Sequence, residues 1–279
     1  MKHKKLKLNT LQKVMTYLDI DLPRLSDSGA TPAETYAYTR KLLEKLGNPE
    51  HGISTVHVAG TIGKGTVSYL IDAMLRAHDQ RTALCVSPHV YDARERIQIN
   101  GQLAPERQFV RLVNTVVGAA HEIVNDHPIN YFGILMAISL LGASQQRLDY
   151  VIVEAGLGGK YDQTNLIEDS KKTAVIAQIG NDKLSEQGVL AEARDTAVTI
   201  TDDDLVVALK QDAQAEAVIR STAKEHDAQL NWVQRTGVYQ NDDFDLACEA
   251  ARQIANRDGW HFDEERARLA ADMTYIPGR

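Results

Sequence analysis

The sequence predicts a three-layer α/β P-loop domain built on a mainly parallel sheet, and three observations carry that prediction. Short runs that are apolar at nearly every position, such as Tyr150 to Glu154 and Thr173 to Ile179, have the length and β-branched content of strands buried on both faces. They alternate with stretches of helical periodicity, an order that implies parallel pairing with helices packed on the sheet. A glycine-rich turn, Gly60-Thr61-Ile62-Gly63-Lys64-Gly65-Thr66, separates one such strand from one such helix, and open α/β sheets hold their ligands at such junctions. The 279 residues are 43% hydrophobic and 25% charged, enough apolar material for a core and too much for disorder.

The elements follow in chain order. A helical extension is expected over residues 1–50, where a basic start (Lys2, His3, Lys4, Lys5, Lys7) leads into the mixed stretch Leu8 to Ile20. Thr31-Pro32-Ala33-Glu34 reads as a capping box with proline at the first helical position, and Tyr38, Leu42, Leu43 and Leu46 then repeat at helical spacing up to Gly47. Residues 51–279 are expected to form the main domain. It opens with a strand at Ile53 to Ala59, the glycine turn, a helix from Gly65 to His78 and a strand from Thr82 to Val86. Helices at Pro105 to Asp126 and Tyr131 to Gln146 precede the two buried strands. Leu205 to Leu209, Ala213 to His226 and Gln229 to Val233 continue the strand and helix rhythm. Helices at Asp243 to Arg257 and Asp263 to Asp272 come before the final Pro277, Gly278 and Arg279.

Charge and cysteine usage narrow the function classes. With 31 basic against 38 acidic residues, a net charge of −7 and no long basic stripe, nucleic acid is not an expected partner. Cys85 and Cys248 are the two cysteines and lack disulfide-framework or metal-ligand spacing, which fits a reducing compartment. The longest apolar run, Tyr131 to Ala143, falls short of the roughly 20 residues of a membrane helix, and the N-terminus does not read as a signal peptide. A soluble cytoplasmic protein without a membrane partner is expected.

The glycine turn is the sharpest chemical signal. Backbone N–H groups converge at the junction of a strand and a helix N-terminus, where they favour an anion. The usual spacing G-x-x-x-x-G-K-[ST] would need glycine in place of Val58 and a hydroxyl in place of Gly65, so this is a variant whose hydroxyl, Thr66, comes one residue later. Lys64 would reach the β/γ-phosphates, Gly60, Thr61, Gly63 and Gly65 would form the cradle, and Thr66 would bind Mg²⁺. A structural glycine turn is the plainer alternative. Glu154 ends a buried strand at the carboxyl edge of the sheet, a position suited to holding Mg²⁺, and the glycines after it leave room for a ligand. His57 on an apolar strand reads as structural, and His89 by itself as a solvated loop histidine.

Three ordered motifs resemble one family. Val56-His57-Val58-Ala59 with the glycine turn is similar to the ATP-binding signature of folylpolyglutamate synthase and dihydrofolate synthase, the folate branch of the Mur ligases. Ser87-Pro88-His89 followed by Arg94-Glu95-Arg96-Ile97-Gln98-Ile99-Asn100-Gly101 resembles its second signature. Glu154-Ala155-Gly156-Leu157-Gly158-Gly159 with Asp162, Thr164 and Asn165 resembles its third. The resemblance implies ATP and Mg²⁺ as cofactors and an amide-forming reaction through an acyl phosphate. It also implies an acid-substrate loop at Ser87, Pro88 and His89, and a nucleotide contact at Gln240.

The sequence departs from that family where a second metal ion would bind. Asp182-Lys183 stands for an Asp-His pair, and Arg194 aligns with a lysine that becomes carbamylated. Gly133 replaces a glutamate, Ile62 an asparagine, and Asp243 a nucleotide-contacting asparagine. Lys183 and Arg194 together carry the charge of a divalent ion, so Lys183 joins Lys64 and Glu154 as a candidate catalytic residue. The alternative is a catalytically silent nucleotide-binding module that regulates or completes another protein. Pro277-Gly278-Arg279 resembles the start of the family's linker to a C-terminal domain. A fragment, a separate partner chain and abandoned ligation all remain open at this point. A guanine-reading Asn-Lys-x-Asp motif is missing, which disfavours a GTPase.

Overall fold

The computed structural model describes residues 8–22, 29–123, 130–167, 169, 171–180 and 186–278. Two short helices come first. α1 (Leu11–Thr16) is capped by the Thr10 side chain and continues into a π-helical turn, and α2 (Pro32–Lys45) is capped by Thr31. The expected capping box is formed there: Thr31 N–H donates to Glu34 Oε2 at 2.7 Å, and Glu34 N–H donates to Thr31 Oγ1 at 3.3 Å.

The rest alternates. β1 (Thr55–Ala59), α3 (Lys64–Ala77) and β2 (Thr82–Cys85) are followed by the short pair β3 (Gln98–Ile99) and β4 (Gln102–Leu103). Next come α4 (Glu106–Ile123), α5 (Tyr131–Ser144), β5 (Tyr150–Glu154), β6 (Thr173–Ile176) and α6 (Glu186–Ala197). The chain ends with β7 (Leu205–Leu209), α7 (Ala213–Glu225), β8 (Gln229–Val233), α8 (Tyr239–Asp258) and α9 (Glu264–Asp272). The eight strands form one sheet in the order β4-β3-β2-β5-β1-β6-β7-β8. From β2 to β8 all neighbours are parallel, and β3 and β4 add an antiparallel edge.

Side-chain alternation along the strands explains both helical layers. Val56, Val58, Ile152, Val175 and Val207 point to the layer of α3, α8 and α9, where they pack with Ile71, Met74, Leu246, Ile254 and Ala267. Val151 and Val153 point the other way, to Phe109, Leu112 and Ile138 of α4 and α5, and α1 and α2 join that cluster through Val14, Leu18, Leu42 and Leu43. Ala174, Ile176, Val206 and Ala208 share this second face with Ala193 of α6 and Ile219 of α7. α5 is buried along nearly its whole length between α2, α4 and the sheet, which accounts for its all-round apolar sequence. No helix among the described residues is long and apolar enough to cross a membrane. Both cysteines are buried, and burial pushes the Cys85 thiol up to about 12.

Several elements differ from their expected bounds for local reasons. β6 stops at Ile176 rather than Ile179, because the chain leaves the ladder and the Gln178 carbonyl accepts the Thr61 and Ile62 N–H groups at 2.9 and 3.0 Å. The β3–β4 hairpin turns on Asn100 (φ 49°) and Gly101 (φ 73°), a two-residue left-handed turn between strands too short to show periodicity. α6 has no strong apolar stripe and was not expected. α8 starts one turn early, with Asp242 accepting Thr236 N–H at 2.6 Å. Parallel pairing of β2, β5 and β1 puts their carboxyl ends side by side, with Cys85 opposite Val153 and Val58 opposite Glu154.

Candidate functional site

The glycine turn leaves β1 at Gly60 (φ 136°), whose missing Cβ lets it lie against Ala177, and ends at Gly63 (φ 86°), the cap of α3. At Gly63 the left-handed conformation and the Asp243 carboxylate, which a Cβ would strike, both demand glycine. The Thr61 and Ile62 amides are held by the Gln178 carbonyl and face the protein. The donors left for an anion are the first-turn N–H groups of α3, at Lys64, Gly65 and Thr66, which have no preceding helical carbonyl. Lys64 Nζ donates to the Gly60 carbonyl at 2.9 Å and lies 3.4 Å from that of Thr61. The Thr61 hydroxyl is buried and has no hydrogen-bond partner among the described residues.

A cleft of about 1040 Å³ opens over this turn. Of the residues expected from sequence, Thr61, Gly63, Lys64, Gly65, Thr66, Ser87, Pro88 and Glu154 line it. Glu154 is 5% exposed and its Oε2 accepts the Ser87 N–H at 2.8 Å, joining the ends of β5 and β2. Gly60, His89 and Gln240 are not among the lining residues. Gly60 lies beneath, bonded to Lys64, and Gln240 is exposed on the first turn of α8. His89 stands behind Arg96, whose Nε donates to His89 Nδ1 at 3.2 Å. Burial, then the Arg96 charge, lowers the His89 pKa. Lys183, with Asn181 and Asp182, lies outside the described residues. Arg194 is exposed on α6, whereas its neighbour Asp195 lines the cleft.

Sequence reasoning did not single out Arg96, Asn130, Tyr131, Gln163 and Asp195 as site residues, nor Pro32 and Thr35, which α2 brings to the cleft. Arg96 is 6% exposed and its guanidinium lies 5.7 Å from the Tyr131 ring centre. Gly133 has no room for a side chain, since a Cβ would strike Thr39 Oγ1 and sit 3.2 Å from Asn130 Oδ1 and 3.4 Å from Gln163 Oε1.

A further part of the cleft wall is the run Gly156 to Gln163. Phe132 occupies the space beside Gly156 that a Cβ would take. Gly158 (φ 75°) donates its N–H to Asp162 Oδ2 at 2.7 Å, and Gly159 (φ 81°) donates to the Asp195 carbonyl at 3.1 Å. These two amides are therefore engaged by the protein and are not spare donors for an anion. His57 lies behind it in contact with Thr164, and burial, followed by the Lys172 charge, lowers its pKa from 6.5 to about 3.

A pH dependence follows from His57. The folded state holds it neutral while the unfolded chain protonates it below 6.5, so its contribution is complete above that pH and is lost as pH falls toward about 3. Its share of the unfolding free energy should drop by about 2 kcal/mol between pH 7 and pH 5. Urea titrations at both pH values should show that share in the wild type and not in His57→Gln; equal pH dependence in the two proteins would refute the assignment.

No protein-family model matches the chain. It is similar to the dihydrofolate synthase/folylpolyglutamate synthase of Bacillus subtilis, with 32% identity over 194 residues, covering 68% of this chain and 45% of that protein. It is also similar to a probable bifunctional folylpolyglutamate synthase/dihydropteroate synthase of Haloferax volcanii, with 31% identity over 189 residues, covering 66% of this chain and 22% of that protein. The chain thus spans less than half the length of these curated relatives. Among solved structures, the fold matches Mycobacterium tuberculosis folylpolyglutamate synthase complexed with ADP, with a TM-score of 0.83, 22% identity, and coverage of 99% of this chain and 68% of that one.

Proposed function

The chain belongs to the folylpolyglutamate synthase and dihydrofolate synthase family, and from that premise we propose that it is the nucleotide-binding part of a cytoplasmic ATP-dependent ligase. Its reaction joins a folate-like or other carboxylic acid to an amino acid. The observation that carries this reading is the meeting of the phosphate turn, Glu154 and the Ser87-Pro88 loop around one cleft. A carboxylate oxygen of the acid attacks the γ-phosphorus, the bond to the β–γ bridging oxygen breaks, and ADP leaves. The amino nitrogen then attacks the acyl carbon, phosphate departs and the amine gives up a proton.

The first step needs no side-chain nucleophile. It needs alignment and charge neutralisation, which Lys64 and the first-turn amides of α3 are placed to supply. Thr66 and Glu154 fit a Mg²⁺ that arrives with the nucleotide. They share the cleft with the phosphate turn, no group of three His, Cys, Asp or Glu able to hold a metal occurs among the described residues, and Mg²⁺ is usually held by one or two carboxylates together with phosphate oxygens and water. When bound, the ion offsets charge on the transferring phosphoryl group. Ser87 and Pro88, followed in sequence by His89, belong to the acid-substrate loop in this reading, and Lys183 keeps its candidacy from sequence as a substitute for the charge of a second metal ion. In this reading a C-terminal domain, on the same polypeptide or on a separate partner chain, supplies the amino-acid site.

Calorimetry with MgATP, followed by ADP release with dihydropteroate or a reduced folate, tests the proposal. Binding heat and substrate-stimulated ADP release are expected, with amide formation once a partner domain and glutamate are added. Binding without stimulation would favour a silent module that completes another protein, and no binding heat would defeat both readings.

A further inference from the structure

The glycine wall rests on a buried chain of hydrogen bonds that starts in the strand feeding the phosphate turn. His57, at the centre of β1 and 1% exposed, meets Thr164 Oγ1 through Nε2 at 2.9 Å. The Thr164 hydroxyl donates to Asp162 Oδ1 at 2.7 Å, and Asp162 Oδ2 accepts the Gly158 N–H at 2.7 Å. An ionised carboxylate only accepts, so the threonine proton is committed to Asp162 and the hydroxyl must take its remaining bond from His57. The imidazole therefore carries its proton on Nε2, and each bond in the series has a fixed sense. Thr164 and Asp162 are 2% and 6% exposed, so water does not readily replace either bond. Asp162 also donates its N–H to the Gly159 carbonyl at 3.0 Å, and Asn165 Nδ2 donates to the same oxygen at 3.0 Å, which ties down the second left-handed glycine.

We propose that His57, Thr164 and Asp162 are positioning residues that hold the Gly156–Gly159 part of the cleft wall in register with the phosphate turn. None of the three need touch a reacting atom; each acts through the next, and the last sets the backbone of Gly158. The effect on ligand binding rests on the nucleotide reading of this cleft, whereas the effect on the wall itself rests only on the hydrogen bonds.

Thr164→Val removes the hydroxyl at nearly constant shape, and Thr164→Ser restores it. Hydrogen–deuterium exchange of residues 156–160 in the nucleotide-free protein should be about tenfold faster in Thr164→Val, the scale of one lost bond to a charged group. MgATP should bind about tenfold more weakly in the same variant, and Thr164→Ser should recover both. His57→Leu against His57→Gln, which retains a donor, gives an independent pair should Thr164→Val fold poorly. Unchanged exchange in both hydroxyl- and donor-deleted variants, or a serine variant as impaired as the valine one, would overturn the proposal. A wild type that does not bind MgATP would instead defeat the nucleotide reading, with the exchange comparison still deciding the role of the chain.

Discussion

Lys64→Ala should reduce substrate-stimulated ADP release by about 10²–10³-fold, the scale on which a single preorganised electrostatic contact contributes to a transition state. Its stability should stay within about 0.5 kcal/mol of wild type, because the side chain is only partly buried and bonds to carbonyls of its own turn. The contrast is informative because Lys64 is the first residue of α3, where the helix dipole disfavours a cation. A lysine there slightly opposes the helix, and an anion held jointly by the helix end and the ammonium would account for its placement. Turnover and urea unfolding measured on the same preparation decide the matter. Wild-type turnover in Lys64→Ala would mean that the turn is structural and the phosphates bind elsewhere.

Glu154→Gln should lower turnover by a comparable two to three powers of ten while leaving Mg²⁺-free nucleotide binding essentially unchanged. The amide keeps an acceptor for the Ser87 N–H, so the link between β5 and β2 survives while the charge is removed. A carboxylate that orients the backbone alone would tolerate this change. One that holds a divalent ion would not, and nucleotide affinity would cease to depend on Mg²⁺ concentration. Titration of MgATP and of Mg²⁺-free ATP into both proteins separates the two cases, and retained Mg²⁺ dependence in the variant would remove Glu154 from the metal site.

Legibility varied with how local the determining interactions are. Tyr150 to Glu154, Leu205 to Leu209 and Gln229 to Val233 begin and end where their sequence pattern predicts, since a buried or half-buried strand is specified by its own run of side chains. The Thr31 cap formed as read because all its partners lie within four residues. β6 was overextended because Gln178 is drawn out of the ladder by two amides from a turn more than a hundred residues earlier, which no local pattern records.

The site divides along the same line. Lys64, Thr66, Glu154 and Ser87 were legible because each follows a strand at the same sheet edge, and their motifs are contiguous. Arg96, Gln163, Asp195 and the α2 residues were not, since they reach the cleft only after four separate segments pack together. His57 shows the difference most clearly. Its apolar strand suggested a structural histidine, and the structure agrees on burial but adds Thr164, Asp162 and Gly158 as successive partners.

By itself the sequence determined the alternation of strands and helices and the places of the glycine turn and of the carboxylate that shares its cleft, because periodicity, capping and glycine placement act over a few residues. Only the tertiary structure decided which turn amides face the cleft, which lining residues complete it, and how β1 braces the glycine wall. Those outcomes depend on hydrogen bonds between segments far apart in the chain, whose geometry exists only once the sheet has assembled.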